Sequence, residues 1–459
     1  MLQASRKIVL LVFLIFSAPS LTQGQDAIDW PAWMGVGMDG VWQETGIIES
    51  FPTGGPPVLW RQAVGGGYGG PAVAEGRVYL MDRTKDTRGG AVENAIREAG
   101  EISGGERVLC LEAQTGKLIW EYPYDCPYRV AYPTGPRCTP LVDGQRVYTL
   151  GAMGDLLCLN KNTGEVIWQR KLTRDFQTKP PLWGYASHPL IDGDRLLVPV
   201  GGEGTAVVAF DKNTGQEIWR SQSTLDIGYA PLIMFEKATP TPQLIFWHAE
   251  GVTSLNPATG KKYWFVKFPE EPNPSQTTIA TPRIIGDRLL ISEFYKGSLM
   301  LKLTSDPPAA TELWRSYRTD PKHEKSLNSM MTTPVIKDQH AYGIAYAGRG
   351  IGVLRCIRLS DGTAVWSKDR WMEEEPVVFA TSFIVANQSR YVMFNDNGEL
   401  MFAKFSPSGW EVIDKTKILE PTSAARGRDV VWSHPAFSGK KIFVRNDKEI
   451  VCVNLAATE

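Results

Sequence analysis

A short stretch that ends in Thr-Gly-x-x-x-Trp recurs along this chain and constrains its fold more than any other feature. Four clear copies read VLCLEAQTGKLIW, LLCLNKNTGEVIW, VVAFDKNTGQEIW and VTSLNPATGKKYW, and they occupy residues 108–120, 156–168, 207–219 and 252–264. Apolar residues alternate on both sides of a polar turn, as in half-buried β-strands, and the glycine suits the positive φ of a tight hairpin. Each copy is therefore predicted to form a strand, a turn and a second strand.

Degenerate copies continue the register and define the period. Three further copies end at Trp314, Trp366 and Ile413, and successive ends from Trp60 onward are 45 to 60 residues apart. A second pattern precedes the copies at eight places: a small or polar pair, usually a proline, and an apolar strand, as in CTPLVDGQRVYTL from Cys138. Each period supplies four strands. The sequence thus predicts an all-β, eight-bladed β-propeller of four-stranded antiparallel blades.

The two ends of the repeat region complement each other. The last copy stops at IVCVNLAATE without a Trp strand, whereas the first Trp strand, PPVLWRQAV from Pro56, has no blade in front of it. Pairing the segment around Trp60 with the segment around Cys452 would complete the eighth blade and remove the free edge. We therefore predict a ring closed by the N-terminal strand, with the propeller spanning residues 56–459.

Three segments lie outside the repeats. Residues 1–24 read as a signal peptide, because Arg6 and Lys7 precede an apolar run from Ile8 to Phe16 that is too short to span a bilayer. Cleavage near Gly24 would give an extracytoplasmic protein, periplasmic or secreted, without a membrane span; a retained run would act as a tether. Residues 25–55 form an N-terminal extension expected to pack across one face, and residues 84–107 form an insertion in the first blade.

The net charge bears on the partners of the protein, and the positions of the cysteines bear on disulfide formation. The formal net charge of −1 gives no overall electrostatic footprint for nucleic acid. Four of the six cysteines occupy one slot of the repeat, which Ala209 and Ser254 fill in other copies, so they are predicted to be small core residues. Cys126 and Cys138 fall outside the register, and both a disulfide and two free thiols are compatible with the sequence.

The T-G-K/E-x-x-W copies resemble the repeat of the pyrroloquinoline-quinone (PQQ) propellers, over about residues 56–459. That family includes quinoprotein alcohol dehydrogenases, with PQQ and calcium near the propeller axis, and the non-catalytic BamB-like scaffold of the outer-membrane assembly machinery. The W-P-x-W-M-G near the start is similar to that of secreted PQQ-like propeller proteins. The resemblance implies a possible PQQ and calcium site, but the adjacent cysteine pair common in the dehydrogenases is absent from this sequence.

Candidate site residues are those that break the register just before the inner strands, because these loops converge on the propeller axis. A ligand-binding role at the channel mouth is predicted for Tyr68, Arg137, Trp183, Tyr185, His188, Tyr229, Trp432 and His434. The repeat Trp residues are expected to dock one blade on the next. The carboxylate cluster at 395–399, NDNGE, is expected to be a hairpin turn rather than a calcium site. No metal ligands and no catalytic residues are predicted.

Two main functions are compatible with these observations. The first is a non-catalytic binding or scaffold protein of the cell envelope that holds a protein partner or small ligand at the channel face. The alternative is a PQQ-dependent quinoprotein oxidoreductase that acts on an alcohol or sugar, with the quinone accepting hydride or electrons. A third possibility, polymer binding, would use Trp371 and Trp410 if these side chains were exposed.

Overall fold

The computed structural model describes residues 28–84, 101–236, 241–272, 277–317 and 326–457. The predicted signal peptide, and residues 85–100 of the predicted insertion, lie outside these ranges. The described chain is almost entirely β-structure and forms eight four-stranded antiparallel sheets. This confirms the predicted all-β, eight-bladed propeller.

The first four blades follow one another along the chain after a single strand, β1 (Val58–Ala63). Blade 1 contains β2 (Ala72–Ala74), β3 (Arg77–Thr84), β4 (Gly105–Glu112) and β5 (Leu118–Asp125). Blade 2 contains β6 (Leu141–Asp143), β7 (Arg146–Leu150), β8 (Asp155–Asn160) and β9 (Val166–Lys171). Blade 3 contains β10 (Leu190–Asp192), β11 (Arg195–Pro199), β12 (Val207–Asp211) and β13 (Glu217–Ser221). Blade 4 contains β14 (Ile233–Phe235), β15 (Gln243–His248), β16 (Gly251–Leu255) and β17 (Lys262–Lys267).

The remaining blades repeat the arrangement, and the last one recruits β1. Blade 5 contains β18 (Arg283–Ile285), β19 (Arg288–Glu293), β20 (Gly297–Ser305) and β21 (Pro308–Ser316). Blade 6 contains β22 (Val335–Lys337), β23 (His340–Tyr346), β24 (Gly352–Arg358) and β25 (Ala364–Lys368). Blade 7 contains β26 (Ser382–Asn387), β27 (Arg390–Asn395), β28 (Glu399–Ser406) and β29 (Gly409–Lys417). Blade 8 contains β32 (Ala436–Ser438), β33 (Lys441–Arg445), β34 (Glu449–Asn454) and β1.

Short elements interrupt this pattern between blades. A hairpin of β30 (Ser423–Ala425) and β31 (Arg428–Val430) joins blades 7 and 8, and a helical turn, α1 (Leu172–Asp175), joins blades 2 and 3. A 3₁₀ turn at Gly348–Gly350 precedes β24. Within the described residues, no helix has the length and apolar character needed to cross a membrane.

At five junctions a repeat Trp and a Gly hold one blade against the next, as predicted for the Trp. The Trp120 indole N–H donates to the Lys161 carbonyl oxygen at 3.0 Å, and the ring covers Gly164 of the neighbouring turn. A Cβ on Gly164 would lie 2.5 Å from the ring, and its φ is +75°. The same arrangement recurs at four other pairs: Trp60 and Gly116, Trp168 and Gly215, Trp219 and Gly260, Trp314 and Gly362.

We call this contact between a repeat Trp and the next blade the interlock. Blade 4 contacts blade 5 through a different set of hydrogen bonds. The next blade has an Asp-Pro-Pro turn in place of Thr-Gly, and the Trp264 indole N–H donates to the Gln243 side-chain oxygen at 2.7 Å. The Gln243 side-chain amide in turn donates to the Thr304 carbonyl oxygen of blade 5 at 2.7 Å. Gln243 is fully buried and therefore relays the blade contact where the glycine turn is missing.

The predicted closure of the ring is confirmed. Strand β1 pairs antiparallel with β34, and Trp60 lies opposite Cys452. In the other blades the same register places Cys110 opposite Trp120 and Cys158 opposite Trp168. The repeat cysteines are therefore small core residues that sit beside the docking Trp.

Burial and contacts show the state of two cysteines and of two Trp side chains considered for polymer binding. Cys126 and Cys138 are separate buried thiols: the Cys126 sulfur lies 3.5 Å from Asp155 Oδ2, and the Cys138 sulfur lies near the carbonyl oxygens of Tyr185 and Ser187. Trp371 is 4% exposed and its indole N–H donates to the Gly352 carbonyl oxygen. Trp410 is half-buried against the core of blades 6 and 7. Because packing holds both indoles, the exposed pair required for polymer binding is not formed.

Residues 28–47 cross one end of the ring. Trp30 forms a backbone bridge with Val73 of β2, and Trp42 donates to the Ala386 carbonyl oxygen of β26. The Glu44 carboxylate accepts hydrogen bonds from the backbone N–H groups of Gly439 and Lys440 at 2.7 and 2.8 Å. These contacts lie at the turns between the first two strands of the blades, so the segment covers that end of the central channel.

Candidate functional site

A cavity of about 240 Å³ lies on the propeller axis. We call it the axial cup. Its wall is formed by loops that lead into the inner strands, by the β19–β20 turn and by the β30–β31 hairpin. The described lining residues are Trp33, Tyr68, Tyr132, Arg137, Trp183, Ala186, His188, Tyr229, Pro231, Thr277, Ile279, Phe294, Tyr295, Met331, Thr332, Phe379, Thr381, Phe383, Arg426 and Trp432.

Six of the eight residues singled out from the sequence line the axial cup. They are Tyr68, Arg137, Trp183, His188, Tyr229 and Trp432. Tyr185 is fully buried and points into blade 3, where its hydroxyl group donates to the Val200 carbonyl oxygen at 2.8 Å. His434 lies just beneath the lining, with its ring 4.8 Å from that of Trp33. The structure therefore brings seven of the eight around one centre.

Trp33 closes the axial cup from the side of the N-terminal segment. Its ring stacks on His188 with a centroid separation of 4.2 Å and an interplanar angle of 12°. Its indole N–H donates to Thr281 Oγ1 at 3.1 Å, at the start of blade 5. Contacts with blades 3, 5 and 8 hold the side chain near the axis. We therefore expect the cup to open on the opposite face, where the lining loops lie.

Several wall residues were not predicted from the sequence. Phe294 and Tyr295 come from the turn between β19 and β20, and Arg426 comes from the β30–β31 hairpin. Phe379 precedes β26 and could have been found by extending the same search by two residues. Trp33 had no such signal, because it lies outside the repeat and reaches the axis only through the fold.

The lining is aromatic and carries positive charge. Ten of its twenty described residues are Phe, Tyr or Trp, two are arginines, and none is an aspartate, glutamate or lysine. The Arg137 guanidinium donates to the carbonyl oxygens of Ala131, Tyr132 and Gly135 and lies 5.2 Å from the centre of the Tyr68 ring. Arg426 lies 4.6 Å from the centre of the Phe379 ring.

The imidazoles add no charge at neutral pH. Burial, together with the neighbouring His434, lowers the pKa of His188 to about 3, and burial lowers the pKa of His434 to about 4. His188 Nδ1 accepts a hydrogen bond from the Thr139 backbone N–H at 3.0 Å. Both rings are therefore neutral packing partners of Trp33 rather than cations for an anionic ligand.

The phenol groups of the cup also stay uncharged. Burial raises the pKa of Tyr68, and its hydroxyl group donates to Thr134 Oγ1 at 2.9 Å. Burial and the charge of Asp226 raise the pKa of Tyr229 well above its usual range, and its hydroxyl oxygen accepts from the Trp183 backbone N–H. Proton transfer by these phenols is unfavourable at neutral pH.

The cluster at 395–399 forms the β27–β28 hairpin turn, as predicted. Asn395 Oδ1 accepts from the backbone N–H groups of Asn397 and Glu399 at 3.1 and 2.9 Å. Asp396 is buried behind the cup wall, where its carboxylate accepts from the Thr381 backbone N–H and from Arg428. Burial raises the pKa of Asp396 to about 6 despite the Arg428 charge. This carboxylate supports the wall and faces Arg428.

A calcium-bound PQQ does not fit these residues. Calcium takes six to eight oxygen ligands that usually include carboxylates, and the described lining has no carboxylate. Across the part of the chain that the structure describes, no group of three or more His, Cys, Asp or Glu side chains could hold a metal ion. Asp396 Oδ2 is engaged by Arg428 and a backbone amide, and Asp396 Oδ1 has no hydrogen-bond partner among the described residues, but one carboxylate oxygen behind the wall does not supply the ligand set of a calcium ion. No reaction step is therefore derived through PQQ and calcium.

Curated relatives match limited parts of the chain. BamB, the outer membrane protein assembly factor of Salmonella typhimurium, is 27% identical over 135 residues, which cover 27% of this chain and 30% of that protein. The quinoprotein alcohol dehydrogenase PedH of Pseudomonas putida is 28% identical over 124 residues, or 25% of this chain and 19% of that enzyme. The chain thus aligns with less than a third of either relative.

Solved structures share the fold at low identity. BamB from Moraxella catarrhalis superposes with a TM-score of 0.57 at 13% identity and covers 88% of this chain and 98% of that one. Quinohemoprotein alcohol dehydrogenase from Comamonas testosteroni gives a TM-score of 0.57 at 12% identity, with 94% and 81% covered. The family described as outer membrane protein assembly factor BamB matches residues 104–367, more than half of the chain. The chain therefore belongs to the BamB-like family of PQQ-like β-propellers.

Proposed function

We propose that this protein is an exported, non-catalytic binding protein of the cell envelope that holds a flat apolar group of a ligand or partner in the axial cup. One observation carries the proposal: the cup is closed by Trp33 and half of its described lining is aromatic. Aromatic walls bury large apolar area and favour stacking with a second ring. The family description, an assembly factor, supports a binding role in the envelope.

The predicted signal peptide at residues 1–24 supports export, and the neutral imidazoles and protonated phenols of the cup support binding rather than acid–base chemistry. In this function the propeller is a rigid frame. The Trp–Gly interlocks fix the blades, and the blades fix the loops that form the wall. A ligand that enters from the loop face stacks on the rings and displaces water from apolar surface.

A second candidate is a PQQ-dependent oxidoreductase acting on an alcohol or sugar. The similarity to PedH over a quarter of the chain favours it. The lack of a carboxylate in the described lining weighs against it, because calcium would have no charged oxygen ligand there.

Calorimetry and fluorescence titration with a neutral probe, indole-3-acetamide, test the proposal. We expect saturable binding in the presence of EDTA. Trp183→Leu, which removes an indole from the cup, should weaken binding about tenfold or more. The matched control is Trp410→Leu, which removes an indole from the outer strand of blade 7 and should leave binding unchanged.

Addition of PQQ with Ca²⁺, followed by an assay of dye-linked oxidation of several alcohols and sugars, tests the alternative. Turnover that requires both PQQ and calcium would replace the proposed function with an oxidoreductase. Loss of binding in Trp410→Leu but not in Trp183→Leu would place the binding site outside the axial cup.

A further inference from the structure

The axial cup combines two features that select for ligand charge. Its described lining includes the guanidinium groups of Arg137 and Arg426 and no acidic side chain. The surrounding rings lower the local polarity, so a guanidinium there interacts with a ligand charge more strongly than it would in water. The cup is therefore expected to discriminate between ligands that differ only in charge.

Arg137 is held in place by neutral acceptors. Three backbone carbonyl oxygens, of residues 131, 132 and 135, accept its side-chain N–H groups. Among the described residues no carboxylate forms an ion pair with it. Its positive charge is thus oriented by its own loop but is not neutralised by a counter-ion.

The acidic residues nearest the wall face other partners. Glu293, which directly precedes the lining residues Phe294 and Tyr295, is buried, and its carboxylate accepts hydrogen bonds from Thr277 Oγ1 and from the backbone N–H groups of Tyr295 and Lys296. The Glu106 carboxylate accepts the Tyr128 hydroxyl group and the Ala152 backbone N–H, and burial raises its pKa. Asp226 accepts the Gly228 backbone N–H at 2.7 Å. Asp447 accepts the Gly67 backbone N–H at 3.2 Å. None of these acids lines the cup, so the ligand meets the arginine charge and not theirs.

We propose that the axial cup selects ligands that carry a flat apolar ring and a carboxylate, that Arg137 recognises the carboxylate, and that no metal ion takes part. This inference rests on the proposed function and specifies its ligand class. The ring stacks on the aromatic wall, and the carboxylate forms charge-assisted hydrogen bonds with the guanidinium. Such a group can belong to a small aromatic acid or to a polypeptide that ends in an aromatic residue.

Three probes with one ring and different charges test the proposal: indole-3-acetate, indole-3-acetamide and tryptamine, titrated by calorimetry in EDTA. We expect the acetate to bind at least about tenfold more tightly than the acetamide, because the guanidinium then donates to a charged acceptor instead of a neutral carbonyl oxygen. Tryptamine should bind more weakly than either. N-acetyl-Gly-Trp and its C-terminal amide form a second pair of probes. The ratio of acid affinity to amide affinity, compared between the peptide pair and the indole pair, distinguishes a polypeptide C-terminus from a small aromatic acid as the ligand.

Variants locate the charge recognition. Arg137→Gln should remove most of the difference in affinity between the acetate and the acetamide, and acetamide binding should persist, because the ring still stacks on the aromatic wall. The control is Arg220→Gln, which removes an exposed arginine paired with Glu217 on β13 and should change nothing. If Arg137→Gln fails to fold, the affinities of the three probes for the unaltered protein still test the charge selection.

The outcomes separate the two proposals. Equal affinity for acetate and acetamide, or tighter binding of tryptamine, would overturn the charge selection and leave the aromatic cup as a binding site. Absence of binding by all three probes and both peptides would overturn the proposed function as well. The acetate titration is repeated without EDTA, and binding that is present there but absent in EDTA would contradict the metal-free recognition.

Discussion

Replacing Gly215 by alanine tests the interlock between blades. Gly215 has a φ of +69°, and a Cβ there would lie 2.6 Å from the Trp168 ring. An L-residue in the left-handed region costs about 1–2 kcal/mol, and overpacking a close contact costs about 1–3 kcal/mol. We expect Gly215→Ala to lower the free energy of unfolding by about 2–5 kcal/mol, a large part of the usual 5–15 kcal/mol.

Gly193→Ala is the matched control. Gly193 also has a positive φ, +58°, but no atom lies within 4 Å of the position of its Cβ. This variant should lose only the conformational part, about 1–2 kcal/mol. Urea denaturation followed by circular dichroism measures both variants against the unaltered protein. The difference between the two, about 1–3 kcal/mol, isolates the contact with Trp168.

A double variant checks that the indole causes the difference. In a Trp168→Leu background the clash disappears, so Gly215→Ala should cost little more than Gly193→Ala does in that background. Equal losses for Gly215→Ala and Gly193→Ala in the otherwise unaltered protein would refute the interlock. The Thr-Gly-x-x-x-Trp repeat would then have to be explained by turn conformation alone.

Three other predictions follow from buried groups. Gln243→Leu should lower stability by about 3 kcal/mol, because it leaves the Trp264 indole N–H and the Thr304 carbonyl oxygen without their partner, whereas the exposed control Gln216→Leu should change it by less than about 0.5 kcal/mol; equal losses in urea denaturation would contradict the relay. His188 stays neutral in the folded protein but gains a proton in the unfolded chain below pH about 6.5, so its contribution falls as pH falls from there toward its folded pKa of about 3. The free energy of unfolding of His188→Asn, relative to that of the unaltered protein, should therefore rise by about 2–3 kcal/mol as the pH falls from 7 to 4.5. A difference that stays constant across that range would show that the His188 ring is protonated or exposed. Protein purified without reductant should show no reactive thiols when folded and six in denaturant, since all six cysteines are buried and free; four thiols in denaturant would indicate a disulfide between Cys126 and Cys138.

The fold could be predicted because its contacts repeat at a fixed spacing. The repeat Trp recurs at one position in every blade except blade 7, and a cysteine lies opposite it in four blades, so the residues that hold blades together are the residues that define the period. Closure of the ring could be predicted for a related reason: the eighth blade is complete only when the Trp60 strand pairs with the Cys452 strand. The Gln243 relay could not be predicted, because Gln243 lies two strands away from Trp264 and in the blade before the altered turn.

Only part of the axial cup could be predicted from the sequence. Loops before inner strands converge on the axis in any propeller, and Tyr229 and Trp432 from such loops line the cup. The direction of a side chain within a loop does not follow from the repeat, so Tyr185 was assigned to the cup although its neighbour Ala186 lines it. Trp33 reaches the axis only because a segment outside the repeat crosses the ring.

A crystal structure of the full chain with indole-3-acetate, grown in EDTA, tests the role of the axial cup most directly. We predict that the indole ring lies in the cup in contact with Trp33 and that the carboxylate lies within hydrogen-bonding distance of the Arg137 guanidinium. A ligand bound only on another face of the propeller, or a carboxylate directed away from Arg137 in the cup, would contradict the proposed recognition.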